Sequence, residues 1–168
     1  MKYFVGILSL YALFFIGCSE KKSAEDLFNE GEKYLEESKF PEAVSSYEAL
    51  IDKHPADSLA IQATLRLASI YQNKQVKNIP ETQSLLKSVE LFRSIYEKYP
   101  NSEKAPMGLF MAGFVEANEL QDSAAATATY NLFLEKFPDH ELATSAKEEL
   151  KNMGLTPEEI LKKNMASE

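Results

Sequence analysis

The sequence predicts an all-α protein that is built from stacked helical hairpins, and three observations lead to this prediction. Six glycines and seven prolines in 168 residues are few for an all-β protein. Ala, Leu, Glu and Lys fill long stretches that contain no tight-turn dipeptide such as Asn-Gly. One spaced pattern of a small, an aromatic, a large apolar and a proline residue also occurs three times, which is typical of a helical repeat.

The repeated pattern predicts the second helix of each hairpin. Spacings of four and three residues put the first three side chains on one helix face. The proline then ends the helix, because it lacks a backbone N–H and disfavours helical geometry in the residue before it. We therefore expect helix ends near His54, Tyr99 and Phe137. The three copies are Ala43, Tyr47, Leu50 and Pro55; Ser88, Phe92, Ile95 and Pro100; and Ala126, Tyr130, Phe133 and Pro138.

A second pattern upstream of each copy predicts the first helix of the hairpin. Its middle residue is small each time, which lets two helices pack about 8–10 Å apart. Its residues are Leu27, Gly31 and Tyr34; Thr64, Ala68 and Tyr71; and Leu109, Gly113 and Glu116. The paired helices resemble the tetratricopeptide repeat. This resemblance implies a right-handed superhelix of about three helical hairpins plus a C-terminal capping helix, whereas the alternative is unrelated helices that share the spacing by chance.

The predicted repeats occupy residues 23–55, 58–100 and 102–138, with a cap at 141–165. A polar insertion over residues 73–83 is expected to form a loop in the second repeat. The predicted helices are Ser23–Ser38, Pro41–His54, Ser58–Asn73, Glu81–Lys98, Ser102–Asn118, Asp122–Phe137, Glu141–Met153 and a short one from Thr156. We expect Ile160 and Leu161 of the last helix to cover the exposed end of the final hairpin.

The N-terminus predicts a secretory signal with a lipid attachment site. Residues 3–16 are almost wholly apolar and follow a single Lys2, but they are fewer than the roughly 20 residues that span a bilayer. The sequence Phe15-Ile16-Gly17-Cys18 resembles the lipobox of bacterial lipoproteins. This resemblance implies that residues 1–17 are a signal peptide, that Cys18 carries a covalent lipid, and that residues 18–22 form a short tether. The alternative is an ordinary signal or an uncleaved anchor with an incidental cysteine.

The charge and the missing motifs argue against two function classes. A formal net charge of -8 disfavours nucleic acid, which requires clustered Lys and Arg. The sequence contains no GxSxG motif and no phosphate-binding glycine loop, while His54 and His140 lie beside helix-ending prolines without metal-ligand spacing. We therefore predict a binding protein that is not an enzyme, with no metal, no small-molecule substrate and no cofactor besides the lipid.

The resemblance to tetratricopeptide repeats also implies a peptide-binding groove, since the first helix of each unit lines the concave side in that family. The three phenylalanines among its predicted residues would form an apolar lining if exposed. The alternative is that they belong to the core. Because Leu27, Gly31 and Tyr34 already form one packing face, a second apolar face would need another partner. The predicted groove residues are Glu25, Phe28, Glu32, Gln62, Leu65, Ser69, Met107, Phe110 and Phe114.

Residues 18–153 as a whole resemble the BamD-like outer-membrane assembly lipoproteins and the YbgF-like coordinators of the Tol-Pal system. This implies a lipid-anchored scaffold that faces the periplasm and binds segments of envelope or outer-membrane proteins. Ser19, directly after the cysteine, favours the outer membrane in the best-known sorting scheme. The alternative is a structural envelope lipoprotein that self-associates and uses no groove.

Overall fold

A computed structural model describes residues 21–165, and this part of the chain contains eight α-helices and no strand. The predicted all-α fold is therefore confirmed. The largest difference in a boundary is at the start of the fifth helix. The helices are α1 (Ala24–Glu36), α2 (Phe40–Lys53), α3 (Ser58–Gln72), α4 (Glu81–Lys98), α5 (Ala105–Asn118), α6 (Ser123–Lys136), α7 (Ala143–Asn152) and α8 (Pro157–Met165).

The first six helices form three hairpins, α1/α2, α3/α4 and α5/α6, and each helix packs against the next one in the chain. The second helices end as predicted, with His54, Tyr99 and Phe137 as the C-cap residues. Ser23 and Asp26 form a capping box at the start of α1. Side chains of the N-cap residues Ser23 and Asp57 thus accept from unpaired backbone amides at the start of α1 and α3, whereas α5 has no side-chain cap.

The prediction that α5 begins at Ser102 is wrong, because residues 99–104 form hydrogen-bonded turns. The amide of Ser102 donates to the carbonyl of Tyr99 at 2.9 Å, and the Ser102 hydroxyl accepts from the amide of Lys104 at 3.2 Å. The helix starts only at Ala105, where Pro106 occupies its first turn.

The core is formed by the repeated pattern residues. The aromatic and large apolar positions of the three second helices are at most 3% exposed: Tyr47, Leu50, Phe92, Ile95, Tyr130 and Phe133. A Cβ atom on Gly31 would lie 2.5 Å from Cε1 of Tyr47, and one on Gly113 would lie 3.0 Å from Cε1 of Tyr130. The small residue of each of these first helices therefore makes room for the tyrosine ring of the second.

The C-terminal end is covered differently from the prediction. Gly154 has a φ of 77° and follows the end of α7, and the capping threonine at 156 then starts α8. Leu161 of α8 is 62% exposed, so the expectation that it covers the last hairpin is wrong. The prediction for Ile160 falls on a side chain that the structure does not describe. The end of the core is instead covered by Leu142, Leu150 and Met153, which pack beside the buried alanines of α7.

The predicted signal peptide (residues 1–17) and the predicted lipidation site Cys18 lie outside the described residues. Between residues 21 and 165, every helix is too short or too polar to span a membrane.

Candidate functional site

The nine predicted groove residues lie on α1, α3 and α5, and we call the side of the three helices that carries them the inner surface. Three of the nine are exposed, namely Glu25, Gln62 and Ser69. The other six are half-buried, and none is buried: Phe28, Glu32, Leu65, Met107, Phe110 and Phe114. All nine can therefore contact a bound segment without unfolding of the core.

Two of the phenylalanines on the inner surface also contribute to the core. The ring of Phe28 lies 5.9 Å from that of Tyr47, and the ring of Phe110 lies 5.5 Å from that of Tyr130 and 5.9 Å from that of Phe133. The tilted geometries are favourable for aromatic pairs. The argument that these rings need an external partner therefore overlooked the second helix, which covers part of each ring and leaves the remainder to solvent.

The first hairpin carries a polar link across the inner surface. The guanidinium of Arg66 on α3 donates to both carboxylate oxygens of Glu32 on α1, at 2.8 and 3.1 Å, and the Tyr47 hydroxyl donates to the same carboxylate. Burial raises the pKa of Glu32, but the hydrogen bonds from Arg66 and Tyr47 lower it to below its usual value. Glu32 is therefore an anion that fixes α1 against α3.

A groove of about 420 Å³ lies beside this link, between α3 and the turn before α5. Gln62, Leu65 and Arg66 form one side of it, and Ser102 and Lys104 form the other. The groove thus brings together two of the predicted residues, one amide and one apolar, next to a guanidinium. These groups can donate and accept hydrogen bonds beside an apolar side chain.

The third hairpin has no equivalent polar link among the described residues. Phe114 follows Gly113 as Glu32 follows Gly31, so a phenylalanine stands where the first hairpin has its carboxylate. The Tyr130 hydroxyl is buried and is without a hydrogen-bond partner within residues 21–165. Burial is the main cause that raises the pKa of Tyr130, and the charges of Glu149 and Glu116 add to it. This end of the inner surface is therefore apolar.

A buried ion pair on the other side of α5 connects three helices. The guanidinium of Arg93 on α4 donates to Oε1 of Glu116 at 2.7 Å and to Oγ1 of Thr129 on α6 at 2.8 Å. The Thr129 hydroxyl donates to Oε2 of Glu116 at 2.6 Å. Glu116 is only 4% exposed and the Arg93 side chain is 33% exposed, so this network joins the second and third hairpins around a buried carboxylate.

The two arginines of the chain, Arg66 and Arg93, are the polar residues that the sequence argument missed. Each joins a helix of one hairpin to a helix of another. Two signals were available in the sequence. The arginines are rare among the 18 basic residues, and Glu116 stands at the position where the first two repeats have Tyr34 and Tyr71. Arginine suits this task because its planar head donates several hydrogen bonds in a fixed geometry.

The histidines have structural contacts. Nε2 of His54 lies 3.0 Å from the carbonyl oxygen of Lys22, and Nδ1 of His140 accepts from the amide of Leu142 at 3.2 Å. Over residues 21–165, no group of three His, Cys, Asp or Glu side chains converges in a way that could hold a metal ion.

Two comparisons with known proteins identify similar sequences. Residues 20–156 match the model of the YfiO family, whose description is outer membrane lipoprotein. The chain is also similar to the outer membrane protein assembly factor BamD of Pasteurella multocida (strain Pm70), with 26% identity over 161 residues. That similarity covers 83% of this chain and 59% of the relative, so the chain spans less than two thirds of the relative's length.

Proposed function

The chain belongs to the YfiO family of outer membrane lipoproteins, and from this premise we propose that it is a lipid-anchored adaptor in outer-membrane protein assembly. The proposed role is non-enzymatic: the inner surface binds a segment of an envelope or outer-membrane protein. The observation that carries the proposal is that the nine inner-surface residues remain accessible in a chain similar to an outer membrane protein assembly factor. The family match favours this role over the Tol-Pal alternative.

The proposed anchor is a lipid on Cys18, which holds the domain beside the outer membrane and on its periplasmic side. Cys18 and Lys21 are three Cα–Cα steps apart, so the chain between them spans at most about 11 Å when extended. Since Nε2 of His54 lies 3.0 Å from the carbonyl oxygen of Lys22, the proposal predicts that the edge of the domain that carries His54 faces the membrane.

The inner surface would recognise its ligand by two different chemistries. Near the first hairpin it presents Glu25 and the Glu32–Arg66 pair, which can hydrogen-bond the backbone or polar side chains of a peptide. Near the third hairpin it presents Met107, Phe110 and Phe114, which can bury apolar side chains. We therefore propose that the bound segment is polar at one end and apolar at the other.

A photo-crosslinking amino acid at Gln62 or Phe114 in cells tests the groove. We expect both positions to crosslink to segments of outer-membrane proteins or their assembly partners. Asn131 on the exposed face of α6 is the matched control and should give no such product. Crosslinks to a second copy of the chain would instead support the self-associating alternative, and no crosslink from either position would contradict the groove.

The variant Ser69→Glu tests whether the inner surface acts in assembly without disturbing the core, because Ser69 is exposed. We expect less correctly inserted outer-membrane protein in cells that carry this variant, at an unchanged level of the adaptor itself. The control Ser123→Glu makes the same change at the exposed first residue of α6 and should have no effect. Equal phenotypes for the two variants would contradict a role of the inner surface.

The anchor is tested separately by Cys18→Ala. We expect the variant to leave the membrane fraction, and incorporation of radiolabelled palmitate to be lost. Retention of the label by the variant would show that Cys18 is not the lipidation site, and would leave the crosslinking result unaffected.

A further inference from the structure

A polar pocket of about 410 Å³ lies where α5 and α7 end, beside the apolar end of the inner surface. Asn118 on its wall follows Phe114 by one helical turn, so the pocket continues the row of predicted groove residues on α5. None of the described residues that line it is among those nine. We call it the terminal pocket, and its principal residues are Ala117, Asn118, Gln121, Glu149, Asn152 and Met153.

The electrostatics of the terminal pocket favour a cation. Glu149 is half-buried and is the one charged side chain among the described residues that line the pocket. It forms no ion pair and no side-chain hydrogen bond with another described residue. Helices α5 and α7 end here at Asn118 and Asn152, and the C-terminal end of a helix carries a partial negative charge. The N-terminus of α6 has the opposite partial charge, but the carboxylate of Asp122 caps it.

The Tyr130 hydroxyl is a second observation that points to a missing partner. Within the described residues, it is the one buried side-chain nitrogen or oxygen that has no hydrogen-bond partner. Tyr130 belongs to the same apolar cluster as Ala117 and Met153 of the pocket. Burial is the first cause that raises the pKa of Tyr130 and the charge of Glu149 is the second, so that carboxylate lies near the hydroxyl. A buried hydroxyl is normally hydrogen-bonded in a native protein.

The polar links between the other hairpins show which group is missing at the terminal pocket. Each link combines a carboxylate, a hydroxyl and an arginine. The two sets are Glu32, Tyr47 and Arg66, and Glu116, Thr129 and Arg93. Between the third hairpin and α7 the chain provides the Tyr130 hydroxyl and the Glu149 carboxylate, but both of its arginines are already held in the other links.

We propose that the terminal pocket binds an arginine side chain of the segment that occupies the inner surface. The guanidinium would donate to the Glu149 carboxylate, and the Tyr130 hydroxyl would donate to the same carboxylate, as Tyr47 and an arginine share one in the first hairpin. Arginine suits the pocket because its planar head donates several hydrogen bonds in a fixed geometry. A second copy of this chain fits poorly, since both of its arginines are held in its own links.

The inference rests on the proposed function, because it assigns one residue of the segment that the inner surface is proposed to bind. The terminal pocket follows Phe114 along α5, so the arginine would lie next to the apolar side chains that pack on Phe110 and Phe114. The proposed segment is therefore polar at one end and apolar with an adjacent arginine at the other.

The test uses the full chain in a non-ionic detergent and two fluorescent peptides. Each peptide carries a pair of leucines followed by either arginine or citrulline, which has a similar shape but no charge. We expect fluorescence anisotropy to give a Kd at least about tenfold lower for the arginine peptide. Glu149→Gln should reduce this ratio to about twofold or less. The matched control Glu148→Gln makes the same change at the adjacent exposed residue and should keep the full ratio.

Tyr130→Phe removes only the hydroxyl and should lower the ratio by about threefold. Equal ratios for Glu149→Gln and Glu148→Gln would overturn the proposal, since they would show attraction by overall charge alone. Absence of binding by both peptides would overturn it as well, and a lysine peptide that binds as tightly as the arginine peptide would overturn the assignment to arginine. Crosslinking from Gln62 and Phe114 tests the adaptor function separately, so loss of the arginine preference with crosslinking retained would refute this inference alone.

Discussion

The first and third hairpins pack in the same way but differ in what they present on the inner surface. In both hairpins, a tyrosine ring of the second helix packs against a glycine of the first helix. A phenylalanine one turn before that glycine packs against the same tyrosine ring. The hydroxyl of Tyr47 donates to Glu32, whereas that of Tyr130 has no partner within residues 21–165. The core of a repeat and the inner surface beside it can therefore vary independently.

The two hairpins also differ in how they are joined to the second one. The link from the first hairpin is the Glu32–Arg66 pair, whose side chains are 30% and 51% exposed. The link to the third is the Glu116–Arg93 pair, whose side chains are 5% and 33% exposed. Water screens the first pair strongly and the second weakly, so we expect unequal contributions to stability.

The largest effect is expected at the buried link. Arg93→Met keeps the aliphatic stem but leaves the buried Glu116 carboxylate without a cation, with only the Thr129 hydroxyl bonded to it, so it should lower the free energy of unfolding by about 3 kcal/mol. The matched change at the exposed link, Arg66→Met, should cost about 0.5 kcal/mol. Urea unfolding of the two variants measures the difference, and equal losses would contradict the contrast between the hairpins. The double variant Arg93→Met/Glu116→Met should recover part of the loss.

The next largest losses of stability are expected where a glycine of the first helix contacts a tyrosine ring of the second. Gly31→Ala places a methyl group 2.5 Å from the Tyr47 ring, whose hydroxyl is held by Glu32, and should cost about 2 kcal/mol. Gly113→Ala meets the Tyr130 ring at 3.0 Å, where no hydrogen bond from the described residues holds the hydroxyl, and should cost about 1 kcal/mol. Thermal unfolding by circular dichroism checks both. A larger loss for Gly113→Ala would show that the third hairpin is the tighter of the two.

Removal of the tyrosine hydroxyl should have different effects on the free energy of unfolding in the two hairpins. Tyr47→Phe removes a hydrogen bond to a charged group and should lower the free energy of unfolding by about 1.5 kcal/mol. Tyr130→Phe removes an unpaired buried hydroxyl, so its stability should be unchanged or higher by up to about 1 kcal/mol. Urea unfolding distinguishes the two. A substantial loss for Tyr130→Phe would mean that its hydroxyl is paired in solution.

The smallest expected effect is on the pH dependence of stability, through Glu32 of the first hairpin. Because hydrogen bonds from Arg66 and Tyr47 outweigh burial and hold the pKa of Glu32 below its ordinary value of 4.5, ionised Glu32 stabilises the fold above that pH. This stabilisation is lost as the pH falls through the lowered pKa of the folded state. The slope of stability against pH below 4.5 should therefore be shallower in Glu32→Gln than in the unmodified chain. Identical slopes would show that Glu32 does not contribute, and Glu25→Gln is the exposed control.

The helix boundaries depend largely on local signals. Proline disfavours helix in the residue before it and the spacing of four and three selects one helix face, so the helix ends at His54, Tyr99 and Phe137 could be predicted. The start of α5 could not, because turn hydrogen bonds at Ser102 compete with the helix there. The exposure of Leu161 was also missed, since it depends on whether distant residues already cover the core.

The sequence by itself determined the all-α repeat, the boundaries of nearly all its helices and the buried face of each second helix, because spacing along a helix decides which side chains share a face. Only the tertiary structure decided that Phe28 and Phe110 divide their rings between core and solvent, and that Arg66 and Arg93 join neighbouring hairpins. The physical reason is distance along the chain. Glu32 and Arg66 are 34 residues apart, and no local pattern records which long side chains meet once the hairpins stack.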